Sequence, residues 1–166
     1  IIYNFLPVSA DVSLITGVTP SRTTGTIAQM NMPTREMIAA YEPNDQRLEA
    51  SIWIAEGIGP QGGMIIESLH SPIGYTWPVG KRSFAYIKKY LHPHTLEKNQ
   101  SDNFPVYRYA ETLLSLAEAL NEQGKSAEAL LYLNPVRQRA GLDPSGELNQ
   151  ALLRDIILHE RRVELA

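Results

Sequence analysis

Cysteine is absent from the 166 residues, so disulfide staples and thiol chemistry are excluded while the compartment stays open. No apolar run approaches the roughly 20 residues a helix needs to cross a bilayer, and any membrane attachment must come from sequence beyond this stretch. Basic charge is also scarce: fifteen Lys and Arg stand against eighteen Asp and Glu, a formal net charge of -3. Nucleic-acid binding draws on clustered Lys and Arg that release counterions, and only Lys81, Arg82, Lys88 and Lys89 come close together, as a solvated face would. Catalytic patterns are missing too. His159 and Glu160 in HERRV lack the second His of a zinc-protease helix, and His92 and His94 flank Pro93 without a third ligand. No phosphate-cradling Gly loop or nucleophile elbow is present, so neither cofactor nor metal is expected. Glu36, Glu42, Asp45, Glu49 and Glu56 are near one another in sequence, but proximity along the chain does not set the carboxyl separation that glycoside hydrolysis needs. The expectation is a protein that is not an enzyme.

What the chain has in abundance is helical periodicity in its last third. From Tyr107 to Gly141, apolar residues recur at Tyr109, Leu113, Leu116 and Leu120, the spacing of a helix face turned to a core, while Glu111, Glu118, Glu122 and Gln123 take the other side. Gly124 suits the left-handed position that ends a helix. Ser126, with Glu128 in the following turn, reads as the N-cap of a second helix. The hairpin has the length of a tetratricopeptide repeat, about 34 residues, with Ala117 and Ala129 where the two helices cross closely. Pro135 departs from that pattern by falling inside the second helix, where it removes a hydrogen bond and should kink it. A lone repeat cannot bury its own apolar face. Leu148 to Ala166, helix-periodic through Leu152, Leu153, Ile156, Ile157, Glu160 and Val163, is one helix that could cover it.

The composition before this point is different. Nine of the eleven prolines and all but one of the aromatics precede Ala110, so residues 1–106 read as a loop-rich region with short strands and 107–166 as helical scaffold. Ile1 to Phe5, Val12 to Ile15 and Ser51 to Ala55 read as strands, Ser21 to Thr26 as a polar loop, and Phe84 to Leu91 as a strand or short helix. Thr34 can cap a helix running through Met37, Ile38 and Tyr41 that Pro43 stops. Gly57 to Gly80 holds so many Gly and Pro that it reads as one long loop, a kind of loop that often carries function. Pro93 to Asn103 reads as a polar connection. The fold class expected is mostly α, with a loop-rich excursion carrying short strands.

Several segments in order carry a family likeness. SDNFPVYRYAETLLSLAEALNE (101–122), AEALLYLNPVRQRAGLD (127–143) and LLRDIILHERRVELA (152–166) resemble the C-terminal portion of the SusD/RagB family. PTREMIAAYEP (33–43), DQRLEASI (45–52) and SFAYIKKYLHP (83–93) fit in the same order, so the resemblance runs from about residue 30 to the end. It implies a surface lipoprotein of the Bacteroidota outer membrane, built on a tetratricopeptide-type helical scaffold, that captures glycan or another nutrient. Its implied partner is a TonB-dependent transporter of the SusC type, over which it acts as a lid. The chain starts at Ile1 without an initiator Met and stops at Ala166 within an apolar periodic pattern, as a portion of a larger protein would.

Sugar rings present C–H faces that pack against indole and phenol rings, while neighbouring amides, Arg and carboxylates hydrogen-bond their hydroxyls. GYTWP (74–78) puts Tyr75 and Trp77 on a loop, and Trp53 lies in IWIAEG, ahead of Glu56. With Arg82 these are the candidate ligand-binding residues, and Gln61, Glu67 and His70 are further polar groups near them in sequence. The family's binding loops vary with the nutrient, so the resemblance transfers no site. Buried aromatics also anchor loops to scaffolds. A tetratricopeptide-type scaffold binding a protein or peptide is the alternative, and it expects the aromatics of residues 50–80 to be buried. Asp45, Arg47 and Arg108 are expected to tie loops to helices by charge-assisted bonds. The charges of the last helix suit pairs on adjacent turns and contacts to a neighbouring segment.

Overall fold

The computed structural model describes residues 13–16, 32–59, 64–89, 91 and 105–165. In chain order they form α1 (Ser13–Thr16), α2 (Arg35–Ala39), α3 (Gln46–Ser51), β1 (Ile52–Ile58), β2 (Ile65–His70), β3 (Arg82–Ile87), α4 (Tyr109–Glu122), α5 (Ser126–Arg139) and α6 (Gln150–Leu165). The described residues of 1–39 and 48–103 make one unit, and those of 40–47 and 104–166 make a second. The strand expected at Ile1–Phe5, the loop at Ser21–Thr26 and the connection at Pro93–Asn103 lie outside the described residues, as do Gln61, His92 and His94.

In the first unit a three-stranded antiparallel sheet runs in the order β2-β1-β3. β1 is central and the most buried of the three strands: Ile52, Ile54 and Ala55 are buried, and β-branched and aromatic residues fit the pleat. Its register shifts against β2 between Glu56 and Gly57. Gly57 is required at that bulge, since a Cβ there would lie 1.9 Å from the Ile65 carbonyl oxygen. Two expectations change here. The long loop from Gly57 to Gly80 contains a strand, β2, because Ile-Ile-Glu-Ser-Leu-His supplies β-formers between the Gly and Pro clusters, which act as punctuation. Where a strand was expected at Val12–Ile15, the described residues 13–16 form a single helical turn that packs against β2 and sets Ile15 in a cluster with Ala55, Met64 and Tyr86. The α2 cap is as expected, with the Met37 amide donating to Thr34 Oγ1 at 3.1 Å.

The second unit packs α4, α5 and α6 around Ala110, Leu114, Ala117, Ala129, Leu133, Val136, Leu153 and Ile157. Here the phase of α4 is corrected. Its inward stripe is Ala110, Leu114, Ala117 and Asn121, one residue on from the large apolar series. Tyr109 is 78% and Leu116 39% exposed, while Leu113 and Leu120 lie at the flank of the core. Close crossing of α4 on α5 wants Ala at its centre, and that turns the bulky neighbours of Ala110 and Ala117 outward. The turn is also corrected at its second half. Gly124 has φ +76° as expected, but Ser126 is already helical, Lys125 holds the N-cap position without a side-chain bond, and the Ser126 hydroxyl donates to Asn121 Oδ1 at 2.8 Å. Pro135 sits on the exposed side of α5, which continues through it.

A buried ion network ties residues 40–47 to these helices. Arg47 donates to Asp45 through Nε and Nη2 at 2.9 and 2.7 Å, and through Nη1 to Glu160 and Glu164. Arg137 Nη1 reaches Glu160 Oε2 at 3.1 Å and Glu42 Oε1 at 2.6 Å. Arg108 and Arg139 converge on Glu164 Oε1 at 3.1 and 2.6 Å. The expected ties of Asp45, Arg47 and Arg108 are thus present, and the partners of the α6 glutamates come from other segments. Burial pushes the Glu164 carboxyl up, but Arg139, Arg47 and Arg108 outweigh it and hold it below the ordinary range.

Candidate functional site

Strand parity divides the candidate residues between the two faces of the sheet. Along β1, Ile54 and Glu56 share a face, and the register sets Ser83 on one side of Glu56 and Ser68 on the other, with His70 beside Ile54. Trp53, Ala55 and Gly57 belong to the opposite face, across from Tyr86, Phe84 and Arg82 of β3. That second face is the apolar one, covered by the cluster of Ile15, Ala55, Met64 and Tyr86 with Trp53, Leu69 and Phe84 packed on it. Trp53 and Arg82 are therefore not brought together with Glu56. Trp53 has its polar handle committed as well: its indole N–H donates to the Glu49 carbonyl at 2.9 Å, and Lys88 Nζ stands 4.0 Å over its ring.

The polar face gathers the other candidates. After β2 the chain turns at Pro72–Gly74, with Gly74 at φ +69° and the Tyr75 amide donating to the Pro72 carbonyl at 3.3 Å, and this turn carries Tyr75 back to β1. The Tyr75 hydroxyl donates to Glu56 Oε2 at 2.8 Å and lies 2.7 Å from Ser83 Oγ. Its ring stands 5.2 Å from that of His70, and 5.2 Å from Trp77 at an interplanar angle of 88°. Trp77 in turn carries the Arg35 guanidinium, whose Cζ is 4.3 Å from the ring centroid. His70 Nε2 is 2.8 Å from Ser68 Oγ and 3.8 Å from Glu56 Oε2. Lys81 Nζ bridges Glu56 at 3.0 Å and Glu67 at 3.5 Å. Tyr75 and Trp77 are half-buried, so each is anchored while part of its surface meets solvent.

The electrostatics of this face follow from Lys81 and Tyr75. Their hydrogen bonds hold the Glu56 carboxyl below the ordinary range, and Glu56 holds the Lys81 ammonium above its own. Burial and the bond to Glu56 push the Tyr75 phenol up, partly offset by Ser83. Glu56, Glu67 and His70 are legible from their closeness in sequence, whereas Lys81 reads there only as part of a solvated basic face and Arg35, Ser68 and Ser83 carry no signal. Ser68 and Ser83 follow only once the register is known, and no local signal joins Arg35 to Trp77.

The second unit has a cleft of about 440 Å³ lined by Glu42, Arg137, Ser145, Asp155, Ile156 and His159. Two of its charges are engaged with each other, since Arg137 forks onto Glu42 at 2.6 and 3.1 Å, which lowers the Glu42 carboxyl. His159 is half-buried there. Among the described residues no group of three or more His, Asp or Glu could hold a metal ion, and no helix is long and apolar enough to cross a membrane.

A profile of the SusD family matches residues 21–166. Two SusD-like proteins of Formosa agariphila are similar in sequence: P2 is 44% identical over 95 residues, covering 49% of this chain and 19% of that protein, and P38 is 35% identical over 88 residues, covering 48% and 18%. In structure, a SusD superfamily protein from Parabacteroides distasonis superposes with a TM-score of 0.62 at 21% identity over 99% of this chain and 33% of that one. A SusD-like protein from Bacteroides fragilis gives 0.57 at 21% identity over 100% and 38%. The chain thus spans about a fifth of the length of these curated relatives and about a third of these solved structures.

Proposed function

The chain belongs to the SusD family, and from that premise we propose that it captures glycan without transforming it and passes it to a TonB-dependent transporter of the SusC type. The protein acts at the outer-membrane surface as a lipoprotein, and the α4–α5 hairpin is one tetratricopeptide-type unit of its scaffold. The observation that carries this reading is the Tyr75–Trp77 aromatic step, set beside Glu56, His70, Ser68 and Lys81 on one face of the sheet. Rings offer packing surface to a sugar's C–H face, and the polar fringe offers hydrogen bonds to its hydroxyls. Such sites are shallow and wet, so the expected Kd is on the order of micromolar to millimolar.

The chemistry of the carboxylates favours capture over hydrolysis. A glycosidase acid needs a raised pKa at a carboxyl free to protonate a leaving group. Glu56 has a lowered one and is shared between Tyr75 and Lys81, while Glu67 is drawn to the same ammonium.

Affinity electrophoresis of the full-length protein against a panel of polysaccharides, paired with a reducing-sugar assay, tests the reading. Retardation by a glycan is expected, with no sugar released, and Trp77→Ala should weaken it by about tenfold or more, equivalent to about 1.4 kcal/mol. Retardation by no glycan would sink glycan capture and favour a peptide or protein ligand. Sugar release would point to an enzyme.

A further inference from the structure

We propose that the captured glycan is acidic, and that Arg35, held over the Trp77 ring with its Cζ 4.3 Å from the centroid, pairs with a carboxylate or sulfate that the glycan carries. This inference rests on the capture reading and names the ligand class of the same site. A guanidinium donates through five N–H groups, and its contact with one indole ring leaves donors of the fork available. The ring holds the fork in place and reduces the rotamer freedom that binding would otherwise have to remove. Fork geometry matches the two oxygens of a carboxylate, or two oxygens of a sulfate, in a bidentate pair.

The surroundings single out Arg35 as the group awaiting such a partner. Among the described residues, Arg35 makes no ion pair, and its side chain is exposed beside the aromatic step. Every other charge of the cluster is engaged from within. Lys81 is shared by Glu56 and Glu67, and Glu56 also accepts from Tyr75. Those two carboxylates would repel an acidic ligand if they were bare, but Lys81 lies between them and they approach it at 3.0 and 3.5 Å. The two engaged carboxylates and the lysine leave Arg35 as the cation at the Trp77 end of the cluster. A sugar ring packed along the aromatic step would bring a ring substituent to the Arg35 edge. A neutral sugar would offer only hydroxyls there, which gain less from a charged donor than an anion does.

The test uses the full-length protein and defined polymers: polygalacturonate and alginate as carboxylate carriers, dextran sulfate as a sulfate carrier, and dextran, amylose and highly methyl-esterified pectin as neutral counterparts. Wild type is expected to be retarded by at least one acidic polymer and much less by its neutral counterpart. Arg35→Gln should weaken that interaction on the order of tenfold or more, and Arg35→Lys should recover only part of it, since an ammonium lacks the fork. The carboxylate and sulfate arms identify which anion is read. Unchanged melting temperatures of the variants would show that the loss is local. Retention of acidic polymers that ignores Arg35→Gln overturns the inference. So does preferential retention of neutral polymers, and if Trp77→Ala abolishes that retention the capture reading survives. Retention of no polymer in either class removes both.

Discussion

Gly57 illustrates how much one atom can decide. With the Ile65 carbonyl oxygen 1.9 Å from where a Cβ would stand, Gly57→Ala must force β1 and β2 apart at the bulge beside Glu56. We expect a loss of about 2–4 kcal/mol in urea denaturation, with weakened glycan retention because Glu56 and Ser68 shift with the strand. A loss under about 0.5 kcal/mol would mean that the bulge relaxes easily. Tyr75→Phe asks a different question, for it keeps the ring and removes the hydroxyl that meets Glu56 and Ser83. Retention should fall less than in Trp77→Ala if ring contact dominates, and an equal or larger fall would make the hydroxyl network the principal determinant. The sequence offers Tyr75, Trp77 and Trp53 as candidate aromatics, the first two on a loop and the third in an apolar IWI run. Which face of the sheet each takes depends on a register that no single strand records.

At the scale of the element, α4 shows that period and phase are separate pieces of information. The 3.6-residue period was plain, and the helix runs where it was expected. The phase was read from the largest side chains, whereas the close crossing selected Ala110, Ala117 and Ala129 for the interior. A paired substitution tests the corrected face. Leu114→Ala empties a fully buried position and should cost about 2–5 kcal/mol, while Leu116→Ala, at 39% exposure, should cost under about 1 kcal/mol. Equal costs in chemical denaturation would return α4 to the expected orientation. The strand β2 was missed for a related reason: composition averaged over Gly57–Gly80 hides six strand-forming residues between two breaker-rich flanks.

On the scale of the whole molecule, the feature least legible in the sequence is the ion network, because its partners are far apart along the chain. Glu160 is fully buried and accepts from Arg47, 113 residues away, and from Arg137. Glu160→Ala would take one carboxylate from each guanidinium, leaving Arg47 with Asp45 and Glu164 and Arg137 with Glu42, and should cost about 1–3 kcal/mol in chemical denaturation. A cost under about 1 kcal/mol would mean that water or a neighbouring carboxylate compensates them. The network also sets an acid limit. Glu42 and Glu164 both have folded pKa values below the ordinary carboxylate value, so the stability they contribute is present above that value. It is lost as the pH falls through the lowered values. Melting temperature should therefore drop on acidification below the usual carboxylate range, and the drop should be shallower in Glu164→Gln. The same geometry constrains the order of events during synthesis. Residues 40–47 leave the ribosome long before α6 does, and Arg47 meets its α6 carboxylates only after the chain between them has been made. Closing this charged core therefore spans more than a hundred residues of chain, and it cannot be completed until α6 has been made.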